Sequence, residues 1–130
     1  MIDHLSLAVA DIERSRAFYD RVLATLGHGR AMDIDDGAGS VGTGYGPIGA
    51  FWISSPKPAV PLPPPPEVQH VAFAAPDRAA VDAFHKEALA AGARDNGAPG
   101  LRPHYHPDYY AAFVIDPDGH HLEAVCHRPP

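Results

Sequence analysis

The sequence predicts an α+β fold made of two β-α-β-β-β modules, and three observations carry that prediction. The first is a phrase that occurs twice. Asp3-His4-Leu5-Ser6-Leu7-Ala8-Val9-Ala10-Asp11 returns 66 positions later, from His4 to His70, as Gln69-His70-Val71-Ala72-Phe73-Ala74-Ala75-Pro76-Asp77. The second is that the register holds afterwards: Ala17-Phe18 answers Ala83-Phe84, Leu23 answers Leu89, and Gly27 answers Gly92 within one position. The third is the dense run of prolines that separates the copies. A repeat this long in a chain of 130 residues means two copies of one supersecondary unit.

In the first copy, residues 2–9 alternate and contain Val and Leu, which reads as a strand. Asp11 caps the following helix, whose inner face is set by Ser15, Phe18 and Val22, and Gly27 and Gly29 end it. Residues 30–46 are rich in Gly and Asp and delimit no strand clearly, whereas Ile48–Ser54 reads as a short apolar strand. Module one is therefore 1–55. The segment 56–66 cannot join a ladder and favours polyproline II. At ~3.1 Å per residue it reaches roughly 34 Å, which suits a stiff linker better than a ligand for an SH3-type domain. Module two, 67–130, repeats the plan. Val68–Ala75 is a strand, Asp77 a cap, and Val81, Phe84 and Ala88 an apolar helical stripe ended by Gly92. Residues 94–108 read as a polar loop, Tyr109–Ile115 as a strand, Asp116-Pro117-Asp118-Gly119 as a turn, and His121–Cys126 as the returning strand.

Composition narrows the function. A formal net charge of −6 leaves no basic footprint for nucleic acid. No run approaches the ~20 apolar residues of a membrane span, and the N-terminus lacks a secretory signal, so no membrane or export is expected. A lone Cys126 forms no internal disulfide, which fits a reducing cytoplasm. Nine histidines stand against ten Lys plus Arg.

Strand alternation then sorts the candidate ligands. His4, Ser6 and Ala8 share one face of their strand, and His70, Ala72 and Ala74 share the matching face of the other, a histidine followed by small residues each time. Glu123 offers a third donor on the last strand, sharing its face with His121 and Val125. A carboxylate among Leu122, Ala124 and Val125 is costly to bury unless a cation offsets it. Two imidazoles and a carboxylate suit Fe, Mn, Ni or Zn and leave positions for substrate. Pairing across the 116–119 turn sets Glu123 roughly opposite Ala112, with Tyr110 and Val114 on its face. Tyr110 is thus a candidate to bond an oxyanion, and His104 and His106 candidates to move a proton. Arg102 could clamp a substrate carboxylate, while Phe51 and Trp52 pack the core or line the substrate space.

These residues resemble the vicinal oxygen chelate superfamily, which includes glyoxalase I, extradiol dioxygenases, methylmalonyl-CoA epimerase, fosfomycin-inactivating transferases and bleomycin-sequestering proteins. The resemblance rests on the phrase at 3–19, its echo at 69–85, and the ending Phe113-Val114-Ile115-Asp116-Pro117-Asp118-Gly119-His120-His121-Leu122-Glu123. It implies one domain over 1–130, with two βαβββ modules forming a cup-shaped mixed sheet, helices outside, around a divalent metal held by His4, His70 and Glu123. It also implies a homodimer and a small-molecule substrate. The strand Gly49-Ala50-Phe51-Trp52-Ile53 lacks the fourth ligand of glyoxalase I and the epimerase, so the set is closer to the dioxygenases and fosfomycin enzymes. The expectation is a metal-dependent enzyme of dioxygenase or of lyase, isomerase or transferase type. The competing expectations are a metal-free module that sequesters a small aromatic drug or metabolite, and a structural metal that joins the halves.

Overall fold

The computed structural model describes residues 1–130 and divides them into two compact units, Met1–Pro63 and Pro64–Pro130. In the first unit the order is β1 (Leu5–Ala8), α1 (Ile12–Ala24), β2 (Arg30–Asp35), β3 (Ser40–Tyr45), a 3-10 turn (Pro47–Gly49) and β4 (Phe51–Pro56). In the second it is β5 (His70–Ala74), α2 (Arg78–Ala90), β6 (Arg94–Leu101), β7 (Tyr110–Ile115) and β8 (His121–Cys126). Each unit is a βαβββ module, and the protein is α+β. The strands make two open four-stranded mixed sheets, ordered β1-β4-β3-β2 and β5-β8-β7-β6. Each has one parallel pair, β1 with β4 and β5 with β8, and the rest antiparallel. No helix is long and apolar enough to cross a membrane.

The repeated caps do equivalent work. The Asp11 carboxylate accepts from the Glu13 and Arg14 amides at 3.0 and 3.2 Å, and that of Asp77 from the Ala80 amide at 2.7 Å. Gly27 and Gly92, at φ 86° and 105°, take the left-handed conformation that ends each helix. Each helix buries one stripe on its own sheet. Ser15, Phe18, Tyr19, Val22 and Leu23 are buried on α1, and the Tyr19 ring meets Phe51 of β4 at 5.2 Å. Ala80, Val81, Phe84 and Ala88 are buried on α2, and Phe84 meets Phe73 of β5 at 6.4 Å.

Three expectations need correction. Ile48 belongs to the 3-10 turn and has φ 50°, so the strand begins at Phe51. Residues 94–101, expected as loop, form edge strand β6. Gly97, Pro99 and Gly100 hide it from an alternation test, and the register shifts between Asp95 and Gly97 and between Gly97 and Gly100 absorb them. The β7–β8 register is also one residue from the expected one. Ile115 pairs with His121 and Phe113 with Glu123, because the Asp116 amide bonds the His120 carbonyl and the connection spans 116–120. Odd positions therefore face with odd. Glu123 shares its face with Phe113 and Ala111, while Tyr110 pairs with Cys126 on the opposite face.

Candidate functional site

The parallel pairing of β5 with β8 sets His70 beside His121 and Ala72 beside Glu123. Residues paired in this way point to the same side, away from α2, whose side receives Val71, Phe73, Leu122 and Ala124. His70 Nε2 stands 3.2 Å from Glu123 Oε2. The Glu123 side chain is 2% exposed and that of His70 52%, so the carboxylate is buried and the imidazole opens to solvent. The other carboxylate oxygen, Oε1, accepts a short hydrogen bond from the Tyr109 hydroxyl. Burial first, and then this bond to Glu123, push the Tyr109 phenol up to about 12.

The same face carries more chemistry. Phe113, the register partner of Glu123, lies under the Arg102 guanidinium at 5.3 Å. Arg102 donates from Nη1 to the Gly100 carbonyl and from Nη2 to the Ala98 carbonyl, both at 2.9 Å. Asn96 Nδ2 lies 3.4 Å from His121 Nδ1. Ala72, Ala74 and Ala111 keep the rest of this face shallow.

The first unit presents the equivalent face differently. Ser6 pairs with Trp52 and Ala8 with Ser54, so His4, Ser6, Trp52 and Ser54 follow one face. His4 is exposed just before β1, with Nδ1 2.6 Å from Asp3 Oδ1. Trp52 lies flat on Gly44, where an added Cβ would come within 2.8 Å of the indole. A hollow of about 280 Å³ opens here, lined by His4, Ser6, Ile34, Trp52 and Ser54 among others. A larger hollow of about 490 Å³ lies toward α1, but its cations are already paired, Arg16 with Glu13 and Asp33, Lys57 with Asp35. Because β1 aligns with β5 in the repeat, and Ser6 with Ala72, Trp52 occupies in module one the rung that Glu123 occupies in module two.

Of the sequence candidates, His70 and Glu123 come together. No set of three His, Cys, Asp or Glu side chains gathers as a ligand cluster. Tyr110 does not approach Glu123: its hydroxyl donates to Asp82 of α2 at 2.6 Å, as the one-residue register difference requires. The His104 ring lies tilted against that of Tyr105 with centroids 4.1 Å apart, and His106 accepts from the Asp108 amide through Nδ1 at 3.1 Å; neither is bonded to Glu123. Phe51 turns toward α1 and joins the Tyr19 and Tyr45 rings rather than lining an open face. Tyr109 is the residue that sequence reasoning missed. Its signal was parity, since an odd number faces Glu123 once the turn is counted as five residues.

The comparisons with known proteins are consistent in one direction. The profile of the family described as Glyoxalase/Bleomycin resistance protein/Dioxygenase superfamily matches residues 1–124. A crystal structure of a glyoxalase/bleomycin resistance protein from Albidiferax ferrireducens T118 is 30% identical, with a TM-score of 0.78 over 95% of this chain and 97% of that one. A glyoxylase/bleomycin resistance protein/dioxygenase domain from Frankia sp. EAN1pec, 19% identical, has a TM-score of 0.75 and covers 98% of both chains. An E144Q glyoxalase I mutant from Zea mays, also 19% identical, has a TM-score of 0.71 over 95% of this chain and 46% of that one. These last two bear on the fold alone. The comparison with curated proteins gave no match.

Proposed function

Because the chain belongs to the glyoxalase/bleomycin resistance protein/dioxygenase superfamily, we propose that it is a divalent-metal-dependent enzyme acting on a small oxygen-rich substrate. His70 and Glu123 are its ligands in this reading. The observation that carries it is the buried Glu123 carboxylate, 3.2 Å from an imidazole nitrogen and met by no Lys or Arg ion pair. A buried carboxylate without a cation is expensive, and a divalent ion would offset that cost. The donors fit: two ligands each ~2.1 Å from one ion at roughly right angles stand ~3 Å apart. Fe, Mn, Ni or Zn would accept this nitrogen and oxygen set.

Such an ion supplies Lewis-acid or redox chemistry to substrate oxygens when bound. The chain's own residues do the rest. Tyr109 holds its proton at Oη and occupies Glu123 Oε1, so Oε2 is the oxygen directed toward His70. Burial of the carboxylate keeps water from competing for it. His70 stays accessible on its outer edge, where a substrate would approach.

Metal analysis of protein purified without chelator tests this reading. About one ion per chain is expected, lost in His70→Ala and Glu123→Gln while circular dichroism is unchanged. Unchanged metal content in both variants would end it. Oxygen uptake by the iron-loaded protein would select a dioxygenase; turnover with Ni, Mn or Zn under anaerobic conditions would select lyase, isomerase or transferase chemistry. A second reading, a metal-free module for a flat aromatic ligand, draws on the Trp52 ring laid against Gly44 beside the 280 Å³ hollow. Binding of an aromatic ligand that chelator leaves intact would favour it.

A further inference from the structure

We infer that Arg102 is a binding group for an anionic end of the substrate, so that the substrate is a small carboxylic acid with its reacting oxygens at the opposite end. This rests on the reading of His70 and Glu123 as the metal end of the site. Other arginines pair with carboxylates: Arg16 with Glu13 and Asp33, Arg30 with Asp20 and Asp33, Arg78 with Asp108. Arg102 has no such partner. Its guanidinium is held by the Ala98, Gly100 and Leu101 carbonyls and by the Phe113 ring. A guanidinium carries five N–H donors, and these contacts leave Nε–H and one hydrogen of Nη2 without an acceptor. These are charged donors that a substrate carboxylate can accept from.

The chain is shaped to hold the group there. An added Cβ at Gly97 would lie 3.0 Å from the Phe113 ring and 3.3 Å from Arg102 Nη2, and one at Gly100 would lie 3.2 Å from Nη1. Side chains at either position would push the guanidinium away. The β6 register shifts fall at these same two glycines. Phe113 pairs with Glu123, so Arg102 stands on the Glu123 face, and two strand spacings of ~4.8 Å put the groups roughly 10 Å apart. The Phe113 ring lies between them as an apolar floor. The one carboxylate on the floor, Glu123, is engaged by Tyr109 and His70. On a chain of net charge −6 this face therefore offers an unneutralised cation.

A matched pair of probes tests it: 2-oxoglutarate, and 2-oxovalerate, which has the same carbon chain without the distal carboxylate. Calorimetry on the metal-loaded protein should show the diacid bound roughly ten- to a hundredfold more tightly, the range of a charge-assisted hydrogen-bonded pair. Arg102→Gln should abolish that preference without changing metal content, and Arg102→Lys should retain part of it. Equal affinity for the two probes, no binding of the diacid, or a preference that survives Arg102→Gln would each overturn the inference. The chelator-treated protein separates the two readings. If the diacid preference and its dependence on Arg102 persist while chelator changes nothing, the metal reading fails and the anion site stands.

Discussion

Tyr109 and Glu123 are tied so closely that each reports on the other. The phenol is held up to about 12 by burial and by the carboxylate it bonds. Tyr109→Phe removes the donor on Oε1 and frees the carboxylate to turn. Metal affinity is expected to fall about ten- to a hundredfold, the scale of losing a group that orients a ligand, measurable by competition with a chromogenic chelator. A comparable bond holds the first unit, where the Tyr45 hydroxyl donates to Asp20 at 2.9 Å and Arg30 clamps the same carboxylate. Asp20→Ala leaves the buried Tyr45 hydroxyl without its acceptor and should cost about 1–3 kcal/mol in urea unfolding. Neither tyrosine stood out in the sequence. His70 and Glu123 did, because a repeated histidine and a carboxylate amid apolar neighbours are visible without coordinates. Tyr109 depended on the length of one turn, and a single residue of error handed its place to Tyr110.

Trp52 and Gly44 are a cross-strand pair in which one side chain fills the space the other lacks. Gly44→Ala would place a methyl group within 2.8 Å of the indole and should destabilise the chain by about 1–3 kcal/mol. Gly29→Ala, where a Cβ meets nothing within 4 Å, is the control and should leave the thermal midpoint nearly unchanged. Helices and caps were the most legible elements, since Asp11 and Asp77 precede matched apolar stripes and each glycine stop follows. Edge strands β2 and β6 were not. β2 exposes every residue, and β6 carries two glycines and a proline, so neither shows the alternation that a half-buried strand imposes.

Across the whole molecule, titration limits stability at both ends of the pH scale. The Asp20 carboxyl is held below its ordinary value by the Arg30 hydrogen bond, Asp33 by Thr43, Asp35 by Lys57 and Asp95 by His85. Their stabilisation is present above the ordinary carboxyl range near 3.8 and is lost as pH falls through the lowered values. Tyr45 and Tyr109, raised chiefly by burial, and Tyr110, raised chiefly by Asp82, act in the opposite sense. Their contribution is complete below about 10 and is lost as pH rises through the raised values, because the unfolded chain then holds fewer protons than the folded one. Scanning calorimetry should show the melting temperature falling on both flanks. Tyr109→Phe should flatten the alkaline flank and leave the acid flank as it was.

The exchange of Trp52 for Glu123 at equivalent rungs has a consequence for any account of descent by tandem duplication. At the moment of duplication the halves were identical, so at this rung one of them has since been rewritten. A fusion of two copies of residues 67–130 would own two such acids and no indole; a fusion of two copies of residues 1–55 would own the reverse. The histidine at positions 4 and 70 is what the halves hold in common; the acid is what sets them apart.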